Sequence, residues 1–125
     1  MSVVVRRPSS PLRLSQSPAR IGLPAVDVAG LERALRARVR GEVRFDEGSR
    51  ALYSTDASNY RQLPIGLVLP RDGEDVERAI AACRGFGAPI VSRGGGTGLA
   101  GSACNAAVLF DFTKYMNRIV ELDWR

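Results

Sequence analysis

Histidine is absent from the 125 residues, cysteine occurs twice and lysine once. With no histidine, and with Cys83 and Cys104 far from any C-x-x-C spacing, a zinc site of the usual Cys/His kind lacks ligands. A two-cysteine disulfide scaffold is not expected at this size, which points to a reducing, cytoplasmic compartment. Acidic residues are missing from the first 26 positions, which hold Arg6, Arg7, Arg13 and Arg20. Removing those four from the net charge of +5 leaves about +1 for the rest, so the body has no surplus that favours nucleic acid. Long apolar runs are lacking as well, which excludes a membrane span and a signal-peptide core. Pro8, Pro11 and Pro18 would interrupt the amphipathic helix of a transit peptide, so residues 1–26 are expected to form a disordered basic tail. Seventeen of the eighteen basic residues are arginine, which reads as coding bias rather than a binding device.

What remains is ordinary for one soluble globular domain: 45% apolar and 25% charged residues. Val28, Leu31, Leu35 and Val39 recur at helical spacing, with Gly41 placed to end the helix. Residues 42–63 read as connecting structure, with a short extended piece at Val43 to Phe45 and a helical turn at Ser49 to Tyr53. "IGLVLP" reads as a buried strand from Ile65 to Leu69, stopped by Pro70. Asp72 and Asp75 resemble a capping box that opens a helix with Val76, Ala79, Ile80 and Cys83 inward and Gly85 closing it. Cys83 there is a small buried hydrophobe. Ala88 to Val91 is the next strand, and a strand, helix, strand unit normally makes a parallel pair. Ala106 to Phe112 reads as another strand, Thr113 to Arg118 as a turn, and Ile119 to Asp123 as the start of one more.

Between these strands lies "SRGGGTGLAGS", with five glycines in the eight positions from Gly94 to Gly101. Each glycine costs more chain entropy on folding than any other residue. Gly96 to Gly101 spells G-x-G-x-x-G, and Glu121 stands twenty residues past Gly101, where a dinucleotide fold would want its ribose-binding acid. That fingerprint requires a helix opening on the last glycine. Only Ser102 to Asn105 separate Gly101 from the next strand, whereas a crossover with its helix needs roughly 10 to 12 residues. The nucleoside-triphosphatase loop fails too, because no Lys-Ser or Lys-Thr pair follows. A helix-less nest of backbone N–H groups for an anion survives, at the carboxyl end of a parallel strand where open α/β sheets bind ligands. Thr97 and Ser102 would add hydroxyls, and Arg93 a positive charge at its edge. The plainer alternative is a flexible connector.

From "YSTDASNYRQLPIGLVLP" through "SRGGGTGLAGS" to "DFTKYMNRIVELD", a little over half of the chain resembles the first part of the FAD-binding domain of the FAD-linked oxidases. These are the vanillyl-alcohol oxidase or PCMH-type flavoproteins, and the likeness is to the branch that holds the glycolate oxidase flavoprotein and D-lactate dehydrogenase. The resemblance implies an α+β fold, the first subdomain of a PCMH-type domain with short parallel strands and flanking helices. With the tail and helix read above, the expected division is a disordered basic tail at 1–26, a helix and connecting segment at 27–63, and, as the resemblance implies, the N-terminal part of the FAD-binding domain at 64–125. The resemblance also carries binding of the FAD pyrophosphate onto Arg93, Gly94, Gly95, Gly96, Thr97, Gly98, Leu99 and Gly101, with Ser102 beside them. Ser92 stands where the branch has proline, and Ser102 where glutamine is common. Some members join FAD to a histidine that follows the paired glycines; here that position is Thr97, so non-covalent FAD is expected.

The implied activity is oxidation of a 2-hydroxy acid of the D-lactate or glycolate type, with an electron-acceptor partner or iron–sulfur domain outside this chain. The matched region lacks the family's second half and its substrate domain. The chain is therefore expected to be an N-terminal fragment, inactive alone, and no catalytic residue is assigned. Asp56, Arg61 and Asp111 read equally as strand-end and turn residues. The alternative is a non-catalytic FAD- or nucleotide-binding module that needs a partner chain.

Overall fold

A computed structural model describes residues 25–124; the tail expected at 1–26 lies almost wholly outside them. Helix α1 (Val28–Arg38) starts where the Asp27 carboxylate accepts the Gly30 N–H at 2.9 Å, satisfying a donor with no partner inside the helix. Leu31 and Leu35 are fully buried, each contributing about 1.5–3 kcal/mol relative to exposure. Val28 is 43% exposed rather than part of that face. The helix ends at Val39, and Gly41 lies beyond it, pressed so closely on the segment ending at Leu69 that a Cβ would meet the Leu69 carbonyl oxygen at 2.1 Å. Strand β1 (Glu42–Arg44) follows, then the short helix α2 (Glu47–Leu52), capped by Asp46.

Strand β2 (Gly66–Leu69) and strand β4 (Val108–Asp111) are buried along their whole length, as their unbroken apolar runs require. Between them in sequence come helix α3 (Gly73–Gly85) and strand β3 (Ile90–Arg93). The sheet order is β1-β2-β4-β3, with β1 antiparallel to β2 and the other pairs parallel. The fold is thus a mixed sheet with flanking helices. The expected pairing of the strands on either side of α3 is corrected, because β4 inserts between them. β3 also starts two residues later than the periodicity implied, which brings Arg93 into the strand and the glycines directly after it.

Side chains alternate along the central strands. Val68, Val108 and Phe110 pack with Leu31, Leu35, Ala79 and Cys83 beneath α1 and α3, while Leu67, Leu69 and Leu109 meet Tyr53, Val91 and Tyr115 on the opposite face. On α3 the inward positions are Asp75, Ala79, Ala82 and Cys83, whereas Ile80 is 44% exposed, so the expected face is rotated. Gly85 is the last helical residue, but the left-handed one is Gly87 (φ +63°). The Gly87 and Ala88 N–H groups return to the Arg84 and Cys83 carbonyls, a Schellman ending.

Asp75 is fully buried and is more than a capping residue. Its carboxylate accepts N–H bonds from Arg40 and Gly41 at 2.9 Å and from Arg71 at 3.0 Å, tying the α1–β1 corner to the start of α3. Burial alone would raise this carboxyl, but the Arg40, Arg71 and Gly41 N–H groups outweigh it and hold it below the usual range. Past β4 the backbone makes a turn at Thr113 to Tyr115, and Ile119 to Asp123 form no strand. Among the described residues, no helix is long and apolar enough to cross a membrane.

Candidate functional site

Strand β3 delivers the chain to the carboxyl edge of the sheet, and at Gly94 it leaves as an irregular loop that runs to Gly101. No helix opens on the last glycine, so the G-x-G-x-x-G spelling does not make the dinucleotide fingerprint, in agreement with the count of residues available.

Within the loop four of the five glycines fall into two groups, and Gly98 stands between them, without a positive φ but with a Cβ position 2.8 Å from the Ser102 hydroxyl. Gly96 (φ +67°) and Gly101 (φ +73°) have left-handed backbone, where a side chain is strained. Each is also crowded: a Cβ would lie 2.6 Å from Arg93 Nη2 at Gly96 and 2.7 Å from the Tyr60 ring at Gly101. Gly94 and Gly95 differ on both counts. Neither has a positive φ; a Cβ on Gly94 would meet nothing within 4 Å, and one on Gly95 only the Thr97 methyl at 3.5 Å. Chain geometry therefore explains glycine at 96 and 101 and leaves it unexplained at 94 and 95. A bare backbone there is open to close approach from outside.

The donors point to the same conclusion. Among the described residues, no carbonyl or side chain accepts a hydrogen bond from the N–H groups of Gly94 to Gly101, whereas the Gly96 carbonyl does accept one, from Ala57 N–H at 2.9 Å. Successive N–H groups without internal partners are donors that an external anion could engage. Beside it, Leu52, Tyr53, Arg93, Gly94, Gly95, Asp111 and Thr113 line a cleft of about 310 Å³.

Arg93 does not stand free at the loop's edge. Its Nη1 donates to the Thr55 carbonyl at 2.8 Å and to the Ala103 carbonyl at 3.2 Å, and its guanidinium lies over the Tyr53 ring at 5.4 Å. Thr97 and Ser102 are exposed, and Leu99 is 80% exposed. Two acids set aside at the sequence level sit close by. Asp111 accepts from the Tyr53 hydroxyl at 2.6 Å and from Thr113 N–H and hydroxyl at 2.8 and 2.6 Å. Burial would raise its carboxyl, but the Thr113 and Tyr53 bonds keep it below the usual range, so it is an anion with its acceptors engaged. Asp56 accepts from Ser58 and, at 3.1 Å, from Ala103 N–H just past the glycines. Asp56 and Asp111 lie 47 and 58 positions from these partners, Ala103 and Tyr53, so no local pattern could have signalled them. Arg61 makes an isolated bridge with Thr55 and lies outside the cleft.

Comparison with protein families matches residues 64–125 to the family described as FAD binding domain. Residues 64–125 belong to this FAD-binding family. Its cofactor is FAD, and the arrangement fits one: two glycines with room above them and unpartnered N–H groups are what a diphosphate against main chain needs. Among curated relatives, the chain is 36% identical over 93 residues to glycolate oxidase subunit GlcD of Bacillus subtilis, covering 69% of this chain and 19% of that protein. It is 32% identical over 99 residues to D-2-hydroxyglutarate dehydrogenase of Pseudomonas putida, covering 74% and 10%. It is 28% identical over 83 residues to the mitochondrial cytochrome-type D-lactate dehydrogenase of Kluyveromyces lactis, covering 63% and 14%. The chain thus spans at most about a fifth of these relatives' length.

Solved structures share the fold. Alkyldihydroxyacetonephosphate synthase superposes with a TM-score of 0.63 at 22% identity, over 74% of this chain and 20% of that one. The 4-ethylphenol oxidase of Gulosibacter chungangensis does so with 0.62 at 22% identity, over 76% and 20%. The resemblance read from the glycine loop is therefore shown, as the first part of a PCMH-type FAD-binding domain.

Proposed function

We propose that the loop from Arg93 to Ser102 holds the pyrophosphate of non-covalently bound FAD, in an oxidoreductase that oxidises a 2-hydroxy acid. The observation that carries this reading is the run of unpartnered N–H groups at Gly94 to Gly101, beneath two glycines that the backbone itself does not require. When bound, FAD supplies the two-electron acceptor, while protein contributes position and electrostatics. This chain's part is to hold: Gly94, Gly95, Gly96, Thr97, Gly98, Leu99 and Gly101 offer main chain, Thr97 and Ser102 hydroxyls, and Arg93 braces the loop from below. Relatives named for glycolate, D-2-hydroxyglutarate and D-lactate support the substrate class. No acid or base of this chain is assigned to the reaction, and the chain alone is expected to turn over no substrate.

A second reading, a non-catalytic FAD-binding module completed by a partner chain, draws on the apolar Ile119, Val120, Leu122 and Trp124, all highly exposed. Titration of FAD into the isotope-labelled chain, followed by amide resonances, tests the shared core of both. Shifts concentrated at Gly94 to Gly101 in the millimolar range are expected. Shifts elsewhere, or none, would reject the pyrophosphate assignment. Because the first reading gives the chain no turnover alone, dye reduction with D-lactate or glycolate by the FAD-loaded chain would overturn it.

A further inference from the structure

Residues 53–62 precede the matched family segment and read from sequence as mere connection, yet they touch the glycine loop along its length. The turn is closed on itself by Gln62 N–H to the Ser54 carbonyl and by the Thr55–Arg61 bridge, so it is a small rigid body rather than a slack strand. From it the Thr55 carbonyl receives Arg93 at the loop's entry, Ala57 N–H reaches the Gly96 carbonyl at its middle, and Asp56 receives Ala103 N–H at its exit. The Tyr60 ring lies against Gly101. These contacts engage the Gly96 carbonyl and the groups flanking the loop, and leave its N–H run untouched.

We infer that the 53–62 turn is a template that holds the glycine loop open for the diphosphate, with Asp56 as the positioning residue that latches the loop's exit. The inference rests on the FAD reading above for its ligand, though not for the latch itself. Physically, a loop with five glycines has many conformations to lose, and the N–H groups converge on an anion only if that entropy has been removed beforehand. Asp56 suits the task because its two oxygens have separate duties: Oδ1 takes the Ser58 N–H and hydroxyl within the turn, and Oδ2 takes Ala103 N–H on the loop. The Ser58 bonds, together with Ala103 and Arg93, hold its carboxyl below the usual range, so it remains an acceptor throughout the neutral region.

Asp56→Asn separates the two duties. It keeps one oxygen for Ser58 and turns an amide toward Ala103, breaking the latch while preserving the turn. In the 125-residue chain, hydrogen exchange at Ala57, whose N–H bonds the Gly96 carbonyl, reports on the loop through a bond the Asp56 side chain does not make, read as protection relative to the intrinsic rate of each sequence. The expected result is loss of protection at both Ala103 and Ala57, and FAD binding weakened about tenfold, with the global unfolding midpoint retained. Protection lost at Ala103 alone, with FAD affinity within twofold of the parent, would overturn the template. An Asp56→Asn chain that fails to fold is replaced by Ala57→Pro, which removes the N–H to Gly96 and also fixes φ at 57 and restricts the backbone of Asp56; unchanged affinity in a folded variant overturns the template equally. If Ala57 loses protection but the unsubstituted chain shows no response to FAD, the latch stands and the proposed function falls.

Discussion

Two parts of this molecule gather backbone N–H groups, and they satisfy them in opposite ways. At the α1–β1 corner, the N–H groups of Arg40, Gly41 and Arg71 converge on the buried carboxylate of Asp75. From Gly94 to Gly101 a longer run of N–H groups meets no acceptor among the described residues, and the nearest carboxylates, Asp56 and Asp111, are engaged elsewhere. The donor chemistry is the same in both places. Where the chain provides the anion, the donors hold the fold together; where it does not, they form a surface that an external anion can complete.

Removing the internal anion should have the largest effect. Asp75→Ala leaves three N–H groups without their acceptor in a buried place, and a loss of about 3 kcal/mol or more in urea unfolding is expected. A loss below about 1 kcal/mol would abolish the comparison. The two kinds of glycine come next. Gly96→Ala meets both a left-handed φ and the Arg93 guanidinium, and should cost about 1–3 kcal/mol. Gly94→Ala enters open space, and its effect should stay within about 0.5 kcal/mol. Similar costs at the two positions would mean that the division of glycines is wrong.

A smaller effect concerns pH. Hydrogen bonds from Lys114, Tyr115 and Arg44 lower the Glu42 carboxyl from 4.5 to about 2, joining β1 to the turn after β4. A depressed carboxyl contributes its full stability above the unfolded value and loses it as pH falls through the folded one. Denaturation midpoints should therefore decline between about pH 4.5 and 2 from this source, and Glu42→Gln should flatten that part of the profile. An unchanged acid slope in Glu42→Gln would show that the cluster adds nothing.

Local features of this fold were legible in the sequence, and features that depend on distant pairing were not. Asp72 reads as a helix cap because its partner, the Asp75 N–H, lies three residues away. Asp75 reads as the same device, but its carboxylate bonds residues 34 and 35 positions back. The strands were evident from their apolar runs, whereas the insertion of β4 between β2 and β3 is a choice of pairing that no single segment records. Ile119 to Asp123 has the composition of a strand but forms none. The glycine loop was located correctly because the absence of a helix after Gly101 is a matter of counting. Its support by residues 53–62 was missed, since each contact spans some forty positions or more.

The claim that the Gly94 to Gly101 donors await an external diphosphate is tested most directly by comparing FAD titrations of the unsubstituted chain and Gly95→Val, read by amide resonances. The substitution fits the local backbone, so the spectrum away from the loop and the unfolding midpoint should be kept, the latter within about 1 kcal/mol. The account predicts FAD-dependent shifts at Gly94 to Gly101 in the first and their loss in the second. Equal response to FAD in a folded Gly95→Val chain would contradict it.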